Sequence, residues 1–340
     1  METTHTSGTL DEAWERLHTS GPERAGRLTN HAPMVVEALA AHGHSRAVHR
    51  WLDRYAHKLE DFPGPVAPVT RDNWPEALGD PTRLADWIAH FTREVTERPW
   101  RDVLAEWWPR LLPGVSGGST HPAIRVGHAV RTLLDSGGTG PRVTELAHGL
   151  GYWAARHTPL PGITPLPAGP DADEALSAVP PVPAGTQGGF PARIALVDRL
   201  PSWAAEVREP QEARHRLTEL VRAATHRYAT HGNGSPIMLV HAATAPNAVL
   251  RTLPALPRAL WVPSLRAAWT AAAAVTAMYA PSEPLPYVPP GRVTPEEVME
   301  RALAHGDEHV VKLTDTALGF ADERALAAAL RAIELNAPLE

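Results

Sequence analysis

The stretch of sequence that decides the fold is residues 267–280, AAWTAAAAVTAMYA. It is apolar and rich in alanine, the residue that most favours helix. It is too short to cross a bilayer, because a membrane-spanning helix needs about 20 apolar residues. An apolar helix of this length has to be covered by other parts of the protein. The stretch therefore predicts a buried helix in a helical core.

Helical periodicity extends outward from this stretch through most of the chain. Apolar residues recur at helical spacing, whereas alternating strand patterns with β-branched residues are scarce. The periodic segments are 33–42, 46–59, 82–95, 100–112, 122–134, 142–156, 209–228, 236–250, 257–279, 295–320 and 322–335. The pattern predicts an all-α fold.

Two segments interrupt the helical pattern, residues 159–191 and 281–295. Both are crowded with proline, of which the chain has 35. Such runs favour extended loops. The first is either a linker between two domains or a long loop within one. Residues 1–10 are polar and lack an apolar signal segment, and we expect them to be flexible.

The composition excludes several classes of protein. With 340 residues, 43% hydrophobic and 21% charged, the chain is typical of a globular protein. A formal net charge of −6 argues against nucleic-acid binding. The absence of cysteine excludes disulfides, thiolate metal sites and thiol nucleophiles, and it fits a reducing compartment. We expect a cytoplasmic protein that binds neither nucleic acid nor membrane. Its oligomeric state is left open.

Motifs for familiar cofactors and nucleophiles are absent or out of context. The sequence contains no glycine-rich nucleotide motif after a strand and no HExxH zinc motif. Residues 114–118, GVSGG, match the GxSxG pattern around Ser116. A nucleophile elbow needs a strand before the serine, but here a helical pattern and Pro113 precede it. A glycine-rich loop is the better interpretation.

The chain has 18 histidines, and four of them have an unusual context. His31 lies at the mouth of an apolar helix, and His121 opens another helical segment. His241 ends a strongly apolar run, and His309 lies in the motif DEHVVK. A buried imidazole needs a partner, which is either a metal ion or a hydrogen-bonding group. Taken singly, each is more often a hydrogen-bonded core histidine.

His309 and Lys312 form the sharpest pair. At i and i+3 of a helix, their side chains share one face, with Cβ atoms about 5–6 Å apart. The apolar neighbours predict burial, which would favour the neutral amine of Lys312. A neutral amine can capture carbon dioxide and become a carbamate, which is an oxygen ligand for a metal. The alternatives are an ion pair with a carboxylate such as Asp315, or extension of the amine to the surface.

Four short motifs occur together in one order: NH at 30–31, HPAIRVG at 121–127, VHAAT at 240–244 and DEHVVK at 307–312. Together they resemble the questin oxidase-like family over residues 30–318. The resemblance implies a mostly helical oxygenase that acts on polycyclic aromatic polyketides such as anthraquinones. It also implies non-haem Fe(II), with O2 as co-substrate, bound by four histidines and a carboxylated lysine. Carried over to this chain, the ligands are His31, His121, His241, His309 and Lys312.

Three positions depart from the fungal members of that family. Met34 and Arg125 stand where histidine is common, and His128 stands where tyrosine is common. His128 lies two helical turns after His121 and on the same side. We expect His128 to act beside the metal or in the pocket; a fifth ligand, a proton shuttle and a core residue are the specific alternatives. Arg125 could bind an anionic oxygen of a phenolate substrate, or it could pair with a carboxylate.

The implied ligands lie on both sides of residues 159–191. If they bind one ion, both halves of the chain share one core. We therefore predict a single large helical domain over residues 1–340, with 159–191 as a proline-rich loop.

The leading hypothesis for function is an iron-dependent oxygenase, of the dioxygenase type, that oxidises or opens the ring of an aromatic, quinone or phenolic metabolite. One alternative is a Baeyer–Villiger monooxygenase that needs NADPH, although no motif for that cofactor is visible. An alternative from another class is a helical protein that binds a small molecule without catalysis.

Overall fold

The computed structural model describes residues 3–138, 140–160, 162–183 and 185–340, without the side chains of residues 3–7. Helices dominate, and the strands within the described residues are only two or three residues long. The predicted all-α fold is confirmed. The chain divides into two compact units, one of Met1–Pro159 with Arg251–Pro257 and Glu340, the other of Leu160–Leu250 and Arg258–Leu339. The prediction that both halves share one domain core stays a prediction.

The first unit is a helical assembly with one short antiparallel strand pair. Its helices are α1 (Thr3–Leu17), α2 (Ala32–Ala41), α3 (Ser45–Tyr55), α4 (Trp74–Ala77), α5 (Leu84–Glu97), α6 (Trp100–Leu111), α7 (His121–Ser136) and α8 (Pro141–Ala155), and its strands are β1 (Glu23–Arg24) and β2 (Leu28–Thr29). α7 packs against both α2 and α8, and α8 packs closely on α5. The residues at the starts of α2 and α7, His31 and His121, are buried.

The second unit is also helical. Its elements are β3 (Thr164–Leu166), α9 (Ala172–Ser177), α10 (Gly189–Ile194), β4 (Arg199–Pro201), α11 (Pro210–His231), α12 (Pro236–Leu239), α13 (His241–Thr252, whose last two residues belong to the first unit), α14 (Trp261–Tyr279), α15 (Pro295–His305), α16 (Glu308–Leu318) and α17 (Glu323–Leu335). α14 contains the alanine-rich stretch, and alanines 271–274 have no exposed surface. The predicted buried helix is thus confirmed. Within the described chain, every helix is too short or too polar to cross a membrane.

Two helical patterns are each broken into two helices. The expected helical segment 295–320 is interrupted at Gly306, which has φ +81° and ends α15 in the left-handed conformation. Asp307 then caps α16, because its carboxylate accepts hydrogen bonds from the backbone N–H groups of His309 and Val310, both at 3.0 Å. The segment 236–250 is likewise divided between α12 and α13 at Val240. The second break makes His241 the first residue of α13.

The proline-rich segment 159–191 and the amino terminus contain more regular secondary structure than expected. Residues 159–191 contain β3, α9 and the first turn of α10, and β3 pairs in parallel with β4. At the amino terminus, α1 begins at Thr3, so residues 3–10 are helical, while their flexibility stays a prediction; residues 1 and 2 lie outside the described chain. The reason is tertiary: Leu10 and Trp14 are buried, and the Trp14 indole donates to the Pro33 carbonyl at 3.2 Å.

Candidate metal centre

His31 and His121 lie together in the first unit. His31 is the N-cap residue of α2, and His121 is the first residue of α7, so both stand at helix starts as predicted. Their rings meet edge to face with centroids 4.6 Å apart, and a nitrogen of one lies within 4.8 Å of a nitrogen of the other. The backbone N–H of His31 donates to the Tyr55 hydroxyl at 3.0 Å. The two buried imidazoles form one pair of adjacent nitrogen donors.

The backbone before His121 is strained. Gly118, Ser119 and Thr120 have φ values of 55°, 56° and 66°. Such left-handed geometry costs residues other than glycine about 1–2 kcal/mol each. The turn also presents the Gly118 carbonyl to His121, whose Nδ1–H donates to it at 2.8 Å. With the proton held on Nδ1, the lone pair of this imidazole is on Nε2, which is the atom available to a metal.

His128 lies in a buried cluster around Glu37 of α2. The Glu37 carboxylate accepts from His128 Nδ1 at 2.5 Å, from Arg131 Nε at 2.7 Å and Arg131 Nη2, and from the Thr132 hydroxyl at 3.1 Å. Burial alone would raise the pKa of Glu37, but the charge of Arg131 and the contact with His128 outweigh it and hold the pKa at about 2. Glu37 is therefore an anion that joins α2 to α7.

Arg125 lies in a second buried cluster, around Glu145 of α8. Arg125 donates to the two carboxylate oxygens of Glu145 at 2.6 and 2.8 Å, and His18 Nε2 donates at 3.0 Å. Burial works to raise the pKa of Glu145, but Arg125 outweighs it and lowers the pKa to about 2. Arg125 thus has the carboxylate partner that the sequence left open as its alternative role.

His148 of α8 packs beside this second cluster. The centroid of its ring lies 4.5 Å from the centroid of the His18 ring and 5.7 Å from that of the Phe62 ring. Burial, and then the charge of Arg125, lower the pKa of His148 to about 3, so the folded protein holds this imidazole neutral near pH 7.

His241, His309 and Lys312 lie in the second unit. The His241 and His309 rings are tilted to each other with centroids 5.9 Å apart. His309 and Lys312 both belong to α16, as predicted. His241 and Lys312 have no exposed surface, and His309 is 6% exposed. This unit therefore brings together a second pair of buried imidazoles and, on the helix of one of them, a buried amine.

Burial lowers the pKa of both basic groups of α16, and the neighbouring carboxylates oppose it. Burial lowers the pKa of Lys312 to about 8, against the opposing effect of the Glu308 and Asp307 carboxylates. Burial and the neighbouring Lys312 charge lower the pKa of His309. Asp307 Oδ1 lies 3.8 Å from His309 Nδ1, and nitrogen or oxygen atoms of Asp307, Glu308 and His309 lie within 4.8 Å of one another. The α16 start is thus a second donor cluster in its own right.

The donor set fits a transition metal of the borderline class. Imidazole suits iron, zinc, copper and nickel, and a neutral imidazole is the form that binds. The turn at Gly118 sets the tautomer of His121 in the manner common to metal-bound histidines. Each unit by itself supplies two buried imidazoles, and the second adds Lys312 as a potential oxygen donor.

Ser116 has no surroundings suited to a nucleophile. It lies between two 3-10 turns, Leu112–Gly114 and Gly117–Thr120, rather than after a strand. Its hydroxyl is buried and has no hydrogen-bond partner among the described residues. The interpretation of residues 114–118 as a loop is confirmed.

Glu37 and Glu145 are the residues that sequence reasoning missed. Each is the only acidic residue of an apolar helix, α2 or α8. A single carboxylate in an apolar helix needs a buried partner, and α7 offers basic or polar residues at Arg125, His128 and Thr132, spaced by three and four positions. A lone carboxylate in an apolar helix, together with this spacing on α7, was the sequence signal that could have predicted the two contacts.

Comparison with family models gives a match in the first part of the chain. The sequence model of the questin oxidase-like family matches residues 28–136, which include His31, His121, Arg125 and His128. The predicted resemblance is confirmed over this segment. No curated protein matches the chain. The family match points to an oxidoreductase.

Proposed function

We propose that this protein is a non-haem iron oxygenase, of the dioxygenase type, that acts on a polycyclic aromatic, quinone or other phenolic metabolite of polyketide origin. The observation that carries the proposal is the pairing of buried imidazoles. His31 lies against His121, within the segment that the family model matches, and His241 lies near His309. All four are positions that the sequence resemblance implies as ligands.

In this proposal the four histidines and Lys312 bind one Fe(II). Bound Fe(II) with an open position supplies the activation of O2. The chain's own contribution is to hold the donors in the right protonation state. The Gly118 carbonyl keeps the His121 proton on Nδ1, and burial favours a neutral Lys312 that can be carboxylated.

The proposal also revises the roles expected for Arg125 and His128. Both guanidinium and imidazole already contact a buried carboxylate, Glu145 or Glu37. Leaving either carboxylate without its partner would cost several kcal/mol, about 3–5 by comparison with other buried ion pairs. We therefore assign His128 to holding α7 against α2 and Arg125 to holding α7 against α8, rather than to direct contact with the substrate.

Metal analysis tests the proposal. Protein purified without added metal is expected to contain one iron per chain and to consume O2 with anthraquinone-type phenols. His31→Ala and His241→Ala, one from each pair, should each abolish iron binding, because one ion needs both pairs. Retention of metal by the intact pair would instead show two separate sites. A protein without metal, whose activity resists chelators, would end the proposal.

Isotope labelling separates the two kinds of oxygenation. With ¹⁸O2, a dioxygenase places both labelled atoms in one product molecule. A Baeyer–Villiger monooxygenase places one there, releases the other as water and consumes NADPH. We expect two labelled atoms and no dependence on NADPH.

A further inference from the structure

Glu37 of α2 and its partner His128 of α7 lie at similar distances along their helices from His31 and His121. Glu37 is the sixth residue after His31, and His128 is the seventh after His121. At about 1.5 Å of rise per residue, the two distances along the helices are about 9 and 10.5 Å. The carboxylate cluster therefore lies at nearly the same depth below both histidines, on the two helices that start with them.

We infer that Glu37 is a positioning residue that fixes α2 against α7 and thereby holds His31 against His121. Four hydrogen bonds from His128, Arg131 and Thr132 converge on its two oxygens. All three donors belong to α7, and Glu37 is 1% exposed. A slide of α2 along α7 would break several of these bonds together, so the cluster sets the axial position of one helix relative to the other.

Glu145 provides a matched control. It too is 1% exposed, and it too is held by an arginine through two bonds and by a histidine. It joins α7 to α8 and to His18, the residue that follows α1, and neither α8 nor α1 carries a proposed ligand. Shortening Glu145 should disturb the fold about as much as shortening Glu37, but it should leave the His31–His121 pair in place.

The test compares Glu37→Asp with Glu145→Asp. Each keeps the charge and shortens the arm by one methylene, about 1.5 Å. One measurement is the magnetisation transfer between the His31 and His121 rings in metal-free protein with labelled histidine, detectable by NMR at their present separation. The other is the affinity for Co(II) from equilibrium dialysis. Glu37→Asp should lose the ring contact and bind Co(II) at least ten-fold more weakly. Glu145→Asp should keep the ring contact and bind Co(II) with an affinity within three-fold of the wild type.

The outcomes distinguish this inference from the proposed function. The Co(II) measurement rests on the proposed function, but the ring contact does not. If wild-type protein binds no Co(II) while Glu37→Asp alone loses the ring contact, the inference stands and the metal proposal falls. Wild-type ring contact and affinity in Glu37→Asp would overturn the inference, as would equal losses in Glu145→Asp. Should Glu37→Asp fail to fold, Thr132→Val removes one bond at 3.1 Å and should weaken Co(II) binding two- to five-fold, and an unchanged affinity would overturn the inference.

Discussion

Lys312 is the residue whose chemistry is most sharply constrained. It is fully buried, in a chain where arginine has replaced lysine almost everywhere. We expect Lys312→Arg to lose iron, because a guanidinium cannot become neutral or form a carbamate. Lys312→Met, which is neutral and of similar length, should fold and melt like the wild type but should also lose iron. Metal content and thermal melting measure both. Full iron in Lys312→Arg would show that Lys312 is not a ligand.

His148 should make stability depend on pH. Its pKa is about 3 in the folded protein against 6.5 for an ordinary histidine, so below pH 6.5 the unfolded chain binds a proton that the folded chain does not. Stability contributed by the neutral imidazole is therefore lost as pH falls from 6.5 towards 3, by about 1.4 kcal/mol per pH unit. Glu37 and Glu145 contribute only below about pH 4.5, where their unfolded forms protonate.

Urea unfolding at pH 7.5 and pH 5.5 checks this expectation. Other buried histidines, including His90 and His309, also have lowered pKa values, so the wild-type slope is a sum. His148→Gln should reduce the dependence of the free energy of unfolding on pH by the equivalent of up to one bound proton. The contributions of the other histidines should remain. An unchanged slope would show that His148 gains a proton in the folded state.

At the residue scale, the sequence was informative about donors and silent about their partners. The contexts of His31, His121 and His309 marked them because each has a local signature. Their tautomers and neighbours depend on residues distant in the chain. The Glu37–His128 contact joins positions 91 residues apart, and no local pattern encodes such a distance.

At the element scale, α5 and α8 approach each other closely at Gly151. A Cβ on Gly151 would lie 2.8 Å from both the Cα and the backbone N of Ile88. Gly151→Ala should therefore force the helices apart and cost about 1–3 kcal/mol. The better helix propensity of alanine offsets about 1 kcal/mol of that. We expect a net loss in the free energy of unfolding, measured by denaturant titration.

Gly64 is the control for that substitution. A Cβ there would meet nothing within 4 Å, so Gly64→Ala should leave stability within about 0.5 kcal/mol of the wild type. Equal effects of the two alanines would show that the α5–α8 crossing is looser than described.

Most helices could be predicted from periodicity, but the breaks within the longer periodic segments could not. Residues 295–320 keep an apolar period across the break because both α15 and α16 bury one face. Gly306 ends the first helix through its left-handed φ, and Asp307 starts the second through its cap. Both effects are local backbone events that a periodicity of several turns averages out.

For the whole molecule, all-α character followed from the sequence because helical periodicity ran nearly from end to end. The secondary structure within residues 159–191 did not follow from the sequence, because their proline content predicts a loop. β3 is held in place by pairing with β4, which lies outside that segment. The boundary between the compact units, between Pro159 and Leu160, coincides with the start of this proline-rich stretch.

A shared ion has a consequence for the whole chain. If one iron is bound by both pairs, chelation should accelerate amide hydrogen exchange at the starts of α2 and α7 and in α16 together. Exchange followed by mass spectrometry, with and without chelator, measures this. A response confined to α2 and α7, or confined to α16, would contradict a shared ion and favour separate sites.

The near absence of lysine also makes the folded chain almost inert to amine chemistry. Of its two lysines, Lys312 is fully buried, while Lys58 lies beside the Tyr55 ring at 5.2 Å and is partly exposed. Apart from the amino terminus, an amine-reactive dye or a surface bearing activated esters should therefore couple at Lys58 alone. With the amino terminus blocked, the protein could be tethered in one orientation through Lys58, and reaction at Lys312 would report unfolding.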